Sequence, residues 1–139
     1  MGARYVALGL GIVYTLVGIV GFIPGLLQPP PAGAPDLAID TLYGFLLGLF
    51  PVNVLHSLVH LAIGIWGIVA YRSFMATRVF GRTVAVVFGL LTIMGFFPVL
   101  QTTFGLIPLF GNDIWLHALT ALAGAYAGWA ERPERATTV

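Results

Sequence analysis

Six polar side chains stand at helical spacings inside two otherwise apolar stretches of the chain. They are Asn53, His56 and His60 in one stretch, and Asp113, His117 and Thr120 in the other. Within each stretch neighbouring members are three or four residues apart, so on a helix they share one face. If those two faces meet, the protein holds three imidazoles, a carboxylate, an amide and a hydroxyl in one cluster.

A structural role is the first interpretation of this cluster. Neutral histidines, Asn53 and Thr120 would form hydrogen bonds between helices and set the alignment of one helix against the next. Asp113 would orient His117 across one helical turn, or would cap the helix that it begins. This role requires no bound ligand.

Cofactor binding is the second interpretation. His56 and His117 could serve as the two axial ligands of a b-type haem. Alternatively His56, His60, His117 and Asp113 could together hold a divalent ion such as zinc, because imidazole and carboxylate groups suit such ions. A third interpretation is a proton or quinone site, since histidine titrates near neutral pH.

Other kinds of chemistry find no support in the sequence. The chain has no cysteine, which excludes disulfides, thiolate metal sites and cysteine nucleophiles. Ser57 directly follows His56, and adjacent residues of a helix do not face each other, so a serine–histidine pair is absent there. There is no lysine and the arginines are scattered, so we expect no nucleic-acid binding.

The composition identifies the environment of these residues. Of 139 residues, 59% are apolar and 8% are charged, and the net charge is +1. A soluble domain carries about 25% charged residues. The chain therefore has too little charge to cover a surface in water, and we expect the lipid bilayer to be its main partner.

Four uncharged stretches are long enough to cross that bilayer. They cover approximately residues 5–27, 54–71, 83–100 and 114–130. Each is near the roughly 20 residues that span a hydrocarbon core of about 30 Å. An open backbone in lipid would leave its polar groups unpaired, so each span should be a helix. The predicted fold is an all-α bundle of four transmembrane helices in a single domain of residues 1–139.

The arginines predict the orientation of the bundle. Arg4, the loop from Arg72 to Arg82, and Arg132 with Arg135 all fall on one side of the four spans. The two loops on the other side contain no basic residue. Basic loops face the cytoplasm. We therefore expect a multi-pass protein of the inner (plasma) membrane with both termini in the cytoplasm and the histidines in the outer half.

The second half of the chain resembles the first. Residues 55–58, which include His56, match residues 116–119, which include His117, at an offset of 61. Residues 21–24 match residues 95–98 as Gly-Phe-x-Pro at an offset of 74. These matches predict two tandem helix-pair repeats, related by an axis along the membrane normal.

The outer loops and the glycines complete the predicted architecture. Asp40–Phe50 and Phe104–Phe110 are apolar but too short to span, so we expect short interfacial helices there. Glycines four residues apart permit close helix approach, within the chain or in a homo-oligomer or larger membrane complex. The three glycine pairs are Gly21 and Gly25, Gly44 and Gly48, and Gly124 and Gly128.

Two blocks carry a resemblance to a known family. They run from Leu49 to Leu61 and from Gly111 to His117, and they contain the motifs Asn-x-x-His-x-x-x-His and Asn-Asp-x-x-x-His. In these blocks, and over roughly residues 4–129, the chain resembles the bacterial family named domain of unknown function 4383. The resemblance implies a four-helix membrane protein in which Asn53, His56, His60, Asp113 and His117 act as one unit, and it implies no activity. On the sequence alone, we expect a non-enzymatic accessory or structural membrane protein, with a haem- or metal-binding protein as the alternative.

Overall fold

The computed structural model describes residues 2–130, and helices dominate them. The four α-helices are α1 (Gly2–Val20), α2 (Val54–Ala70), α3 (Phe74–Gly95) and α4 (Asp113–Ala125), and α4 continues into a π-helical turn at Tyr126–Ala130. Two of them, α1 and α3, are long and apolar enough to cross a membrane, and α2 is a shorter apolar helix of 17 residues.

Two side chains cap the starts of helices. The side chain of Asn53 accepts a hydrogen bond from the backbone N–H of His56 at 2.9 Å and begins α2. The hydroxyl of Ser73 accepts one from the N–H of Ala76 at 3.1 Å and begins α3. The uncharged stretch predicts a third span that begins at residue 83, directly after Arg82. Instead α3 begins at Phe74 and includes Arg78 and Arg82 in its first turns.

The helix ends also differ from the predicted spans. Helix α1 ends at Val20, and a 3₁₀ turn over Pro24–Leu26 replaces the helix predicted to reach residue 27. Helix α3 ends at Gly95 instead of residue 100, shortly before Pro98. A proline disfavours helical backbone in the residue before it, so neither helix can continue unbroken through Pro24 or Pro98.

The predicted interfacial helix at residues 40–50 is wrong. This segment belongs to a three-stranded antiparallel sheet, in the order β1 (Leu27–Gln28), β2 (Gly44–Leu46) and β3 (Phe50–Val52). Leu47 and Gly48 have φ angles of 53° and 73°, and this left-handed backbone turns the chain back on itself. A helix cannot continue through two such residues.

The second predicted interfacial helix, over Phe104–Phe110, is also not formed. Thr103, Phe104 and Gly105 have φ angles of 49°, 59° and 86°, which interrupt any right-handed helix. Residues 96–112 form a series of turns, and Ala38 donates a backbone hydrogen bond to the carbonyl oxygen of Gly105 at 2.8 Å. The two outer loops therefore contact each other and cover one end of the bundle.

Glycines bring the helices together in pairs, α1 with α2 and α3 with α4. A methyl group on Gly11 would lie 2.6 Å from the backbone nitrogen of Ile68, and one on Gly124 would lie 2.8 Å from that of Ala85. Gly128 also packs against α3, so the pair Gly124 and Gly128 is used within the chain. The predicted pair at residues 44 and 48 lies in the sheet and its turn, where it approaches Gln28.

The helices bury small and polar residues and expose large apolar ones. Helix α1 buries Ala7, Gly11 and Gly18, while Leu16 and Ile19 are 56% and 50% exposed. The aromatic residues at the centre, where the two helix pairs meet, are Tyr14, Phe80 and Phe88. This distribution is the reverse of that in a water-soluble bundle, where the apolar side of each helix faces inward.

The two ends of the bundle differ in charge. Arg4 donates a hydrogen bond to the carbonyl oxygen of Tyr71 at 2.7 Å, and Arg82 donates one to that of Gly128 at 3.1 Å. These arginines lie at the end opposite the sheet. Arg132 and Arg135, for which the sequence predicts the same side of the membrane, lie outside the described residues.

Candidate metal centre

Three histidines meet in the half of the bundle nearest the sheet. His56 and His60 project from the first two turns of α2, and His117 projects from the second turn of α4. Their side chains are 3%, 2% and 1% exposed. One ring nitrogen from each lies within 4.8 Å of those of the other two. The tertiary structure therefore unites the two histidine-bearing faces that the sequence presents separately.

Two oxygen atoms lie close to Nδ1 of His56 and orient its ring. Its Nδ1 lies 3.2 Å from the carbonyl oxygen of Pro51 and 3.7 Å from Oδ2 of Asp113. A donor hydrogen on Nδ1 satisfies the carbonyl, so Nε2 is the nitrogen left for a ligand. Metal-binding histidines commonly donate their second ring N–H to a carbonyl or carboxylate in this way.

Several other polar atoms of the cluster have no hydrogen-bond partner. Both ring nitrogens of His60, Nδ1 of His117 and Oδ2 of Asp113 are buried and unpartnered. A buried polar atom without a partner costs about 1–3 kcal/mol. Such groups are rare in stable proteins and commonly mark the place of a water or an ion.

Asn53 positions the start of α2 through three hydrogen bonds of its side chain. In addition to capping α2, its Nδ2 donates hydrogen bonds to the carbonyl oxygens of Ile39 and Leu106 at 2.8 and 2.7 Å. It therefore fastens both outer loops to the start of the helix that carries His56 and His60. Both hydrogens of its side-chain amide are therefore bonded to loop carbonyl oxygens, and its oxygen accepts from the backbone of His56.

Thr120 is linked to the imidazoles through Tyr14. Its hydroxyl oxygen lies 2.7 Å from the hydroxyl oxygen of Tyr14, and the two groups share a hydrogen bond. The Tyr14 ring meets the His60 ring edge-on, with centroids 5.0 Å apart. Sequence reasoning missed Tyr14, although it is a polar aromatic residue in mid-span and the offset of 74 aligns it with Phe88.

A small cavity adjoins the imidazoles. Its volume is about 60 Å³. It is lined by the three histidines and by residues of α2, α3 and the second outer loop, namely Val59, Phe88, Leu91, Thr103, Ile107 and Leu109. A cavity of about 10–15 Å³ already holds a water molecule, so this space is large enough for one ion with a small ligand. A porphyrin is far larger than that, so the cavity does not fit a b-type haem.

The donor set suits a transition-metal ion. Three neutral imidazoles are typical ligands of zinc, cobalt, nickel and copper. A tetrahedral ion with bonds of 2.0–2.1 Å would bring its ligand nitrogens to about 3.3 Å from one another. Ring nitrogens already within 4.8 Å reach that separation by small side-chain rotations. Asp113 lies behind His56 and would act on the ion through that ring.

Comparison with known proteins identifies one relationship. A family model described as Domain of unknown function (DUF4383) matches residues 4–130, which is nearly the whole chain. No curated protein and no solved structure matches the chain.

Proposed function

Because the chain belongs to the DUF4383 family, to which no activity is assigned, we propose a function from its own residues: it is a four-span membrane protein that binds one divalent transition-metal ion. The ligands are His56, His60 and His117. The observation that carries this proposal is that three buried imidazoles converge while three of their ring nitrogens lack any partner. A metal ion would supply the missing partner for His60 and draw the three rings together.

The exposed surfaces of α2 and α4 support their inclusion as spans. Ile65 and Val69 of α2 are 56% and 51% exposed, and Leu119 and Leu122 of α4 are 66% and 68% exposed. Large apolar side chains on the outside with small and polar ones inside are typical of helices packed in lipid. With its π-helical turn, α4 reaches Ala130, and α2 is 17 residues long.

The arginines support an orientation with the metal site in the outer half. Arg4, Arg72, Arg78 and Arg82 lie at the end away from the sheet, and positive residues favour the cytoplasmic side. Both termini are then cytoplasmic, and the protein belongs to the inner (plasma) membrane. The outer loops, which contain no basic residue, cover the site from the other side.

The side-chain contacts support two tandem repeats. Tyr14 and Phe88 are equivalent at the offset of 74, and their rings meet edge-on with centroids 5.4 Å apart. His56 and His117 are equivalent at the offset of 61, and their ring centroids lie 6.1 Å apart. Equivalent aromatic residues that touch each other near the equivalent positions His56 and His117 are expected close to a twofold axis.

Metal binding can be tested on the purified protein. The chain should be produced with a purification tag that contains no histidine, placed in lipid nanodiscs, stripped with a chelator and dialysed against zinc. We expect about one zinc per chain by elemental analysis. His60→Ala and His117→Ala should each lose at least nine-tenths of it, whereas Ser57→Ala, a neighbouring buried residue of α2, should retain it.

Two other results would contradict the proposal. If folded wild-type protein binds no zinc, cobalt, nickel or copper, the histidines have only the structural role of joining helices, and the protein is better described as a structural or accessory membrane protein. If the purified protein shows a Soret absorption band that His56→Ala abolishes, the ligand is a haem.

A further inference from the structure

We infer that the bound metal has an open fourth position that takes a small uncharged molecule entering from the outer leaflet between α2 and α3. This inference rests on the proposed metal site. It adds the class of ligand, a neutral molecule of about two non-hydrogen atoms such as a dissolved diatomic gas, and its route. The cavity beside the histidines is the observation that indicates both the class of ligand and its route.

The burial of the cavity residues shows where the cavity opens. Its inner wall consists of buried residues, the three histidines with Phe88 and Leu109. On its other side Val59 is 40% exposed, and Leu91 and Ile107 are half-buried. These three residues come from α2, α3 and the second outer loop. The mouth therefore lies at the junction of these elements, on the side surface of the bundle.

The lining of the cavity selects against charged molecules. Apart from the histidines, its one polar lining residue in the described part of the chain is Thr103, whose hydroxyl already donates to the carbonyl oxygen of Ile107 at 2.9 Å. An ion passing this mouth would lose its hydration without gaining a partner.

Three histidine ligands leave room for a fourth ligand at the metal. Sites with three protein ligands usually keep a water or substrate in the fourth tetrahedral position. Here the cavity volume of about 60 Å³ lies on the side of the imidazoles toward the mouth. An apolar cavity of about 150 Å³ holds benzene, which has six carbon atoms, so the space here suits a ligand of about two non-hydrogen atoms.

The test compares a neutral and an anionic ligand on the same metal. Protein in nanodiscs is loaded with cobalt(II), whose visible absorption and electron paramagnetic resonance report its coordination. Under anaerobic conditions it is titrated with nitric oxide and, separately, with azide. We expect nitric oxide to change both spectra at micromolar concentration and azide to need at least a hundredfold more.

A second comparison tests the route. Val59→Trp places an indole in the mouth and should slow nitric oxide association at least tenfold in stopped-flow measurements. Val69→Trp makes the same change at a similarly exposed position of α2 near the opposite end, and should leave the rate unchanged. Ile107→Phe narrows the mouth from the loop side and should also slow association. Each variant must first be shown to bind one cobalt.

The outcomes separate this inference from the proposed function. If no cobalt binds, the metal site itself is refuted, and this inference is refuted with it. If cobalt binds but nitric oxide changes neither spectrum, the metal site stands and the open position is refuted. If azide binds as tightly as nitric oxide, or if the mouth variants associate at the wild-type rate, the ligand class or the route is wrong.

Discussion

Replacing His60 by leucine separates the role of a metal ligand from that of a core residue. In the metal-free protein both ring nitrogens of His60 are buried without a partner, and leucine removes them. That removal should stabilise the fold by about 1–3 kcal/mol. The variant loses the edge contact between His60 and Tyr14, which is worth about 0.5–1.5 kcal/mol. The metal-free variant should therefore be more stable than the metal-free wild type by about 1 kcal/mol.

Zinc should reverse the order of stability of the wild type and His60→Leu. A ligand that binds only the folded state adds about 2.7 kcal/mol when its free concentration is 100 times its dissociation constant. The wild type should gain this amount with zinc, and His60→Leu should gain nothing. With zinc present the wild type then exceeds the variant by about 1.7 kcal/mol, which is the difference between these two estimates. Without zinc the variant is the more stable of the two.

The assay is denaturant unfolding in nanodiscs, followed by tryptophan fluorescence with and without zinc. Ser57→Ala is the control, because Ser57 is a second buried and unpartnered polar residue of α2 and is not a proposed ligand. It should keep the full increment from zinc. The reasoning is refuted if His60→Leu retains that increment. It is also refuted if the metal-free variant is less stable than the metal-free wild type by more than about 2 kcal/mol, since His60 would then have a partner in the core.

Three further predictions concern the fold and its orientation. Asn53→Ala should cost about 3 kcal/mol in denaturant unfolding, because it removes a helix cap and leaves two carbonyl oxygens unpaired; a loss under 1 kcal/mol would contradict this. Gly124→Ala should lower the unfolding free energy by about 1–3 kcal/mol, since the new methyl group would lie 2.8 Å from the backbone nitrogen of Ala85. Gly89→Ala, which has open space, should lower it by nothing; equal losses would mean that the helix contacts are wrong. In the cysteine-free chain, Leu47→Cys should react with a membrane-impermeant maleimide on intact cells, whereas Met75→Cys should react only after permeabilisation, and the opposite result would invert the orientation.

Local features of the chain were predictable from the sequence. The uncharged stretches indicated the approximate positions of the helices, two of which are long and apolar enough to cross a membrane. The spacing of His56 and His60 put these two residues on one helical face, whereas Asn53 precedes the helix and caps it. The blocks Leu49–Leu61 and Gly111–His117 also indicated the family, which the match over residues 4–130 confirms. These features depend on the average composition or on residues close together in the chain. The 3.6-residue period of a helix determines which nearby residues share a face.

The outer loops were not predictable in the same way. Asp40–Phe50 is a short apolar segment, and periodicity alone does not distinguish a buried strand from a helix at that length. The left-handed backbone at Leu47 and Gly48, and pairing with Leu27–Gln28, decide in favour of strands. The predicted start of the third span was also wrong. An arginine such as Arg82 is tolerated inside a helix when a carbonyl oxygen, here that of Gly128, accepts its hydrogen bond.

The sequence by itself determined that His56 and His60 share one face of a helix and that His117 lies on a second helix. Only the tertiary structure decided that those faces meet, that Asp113 lies behind His56, and that a cavity remains beside them. A helix relates residues four apart through its own hydrogen bonds. The meeting of two helices depends on close packing at glycines and on contacts between residues far apart in the chain, which no local pattern encodes.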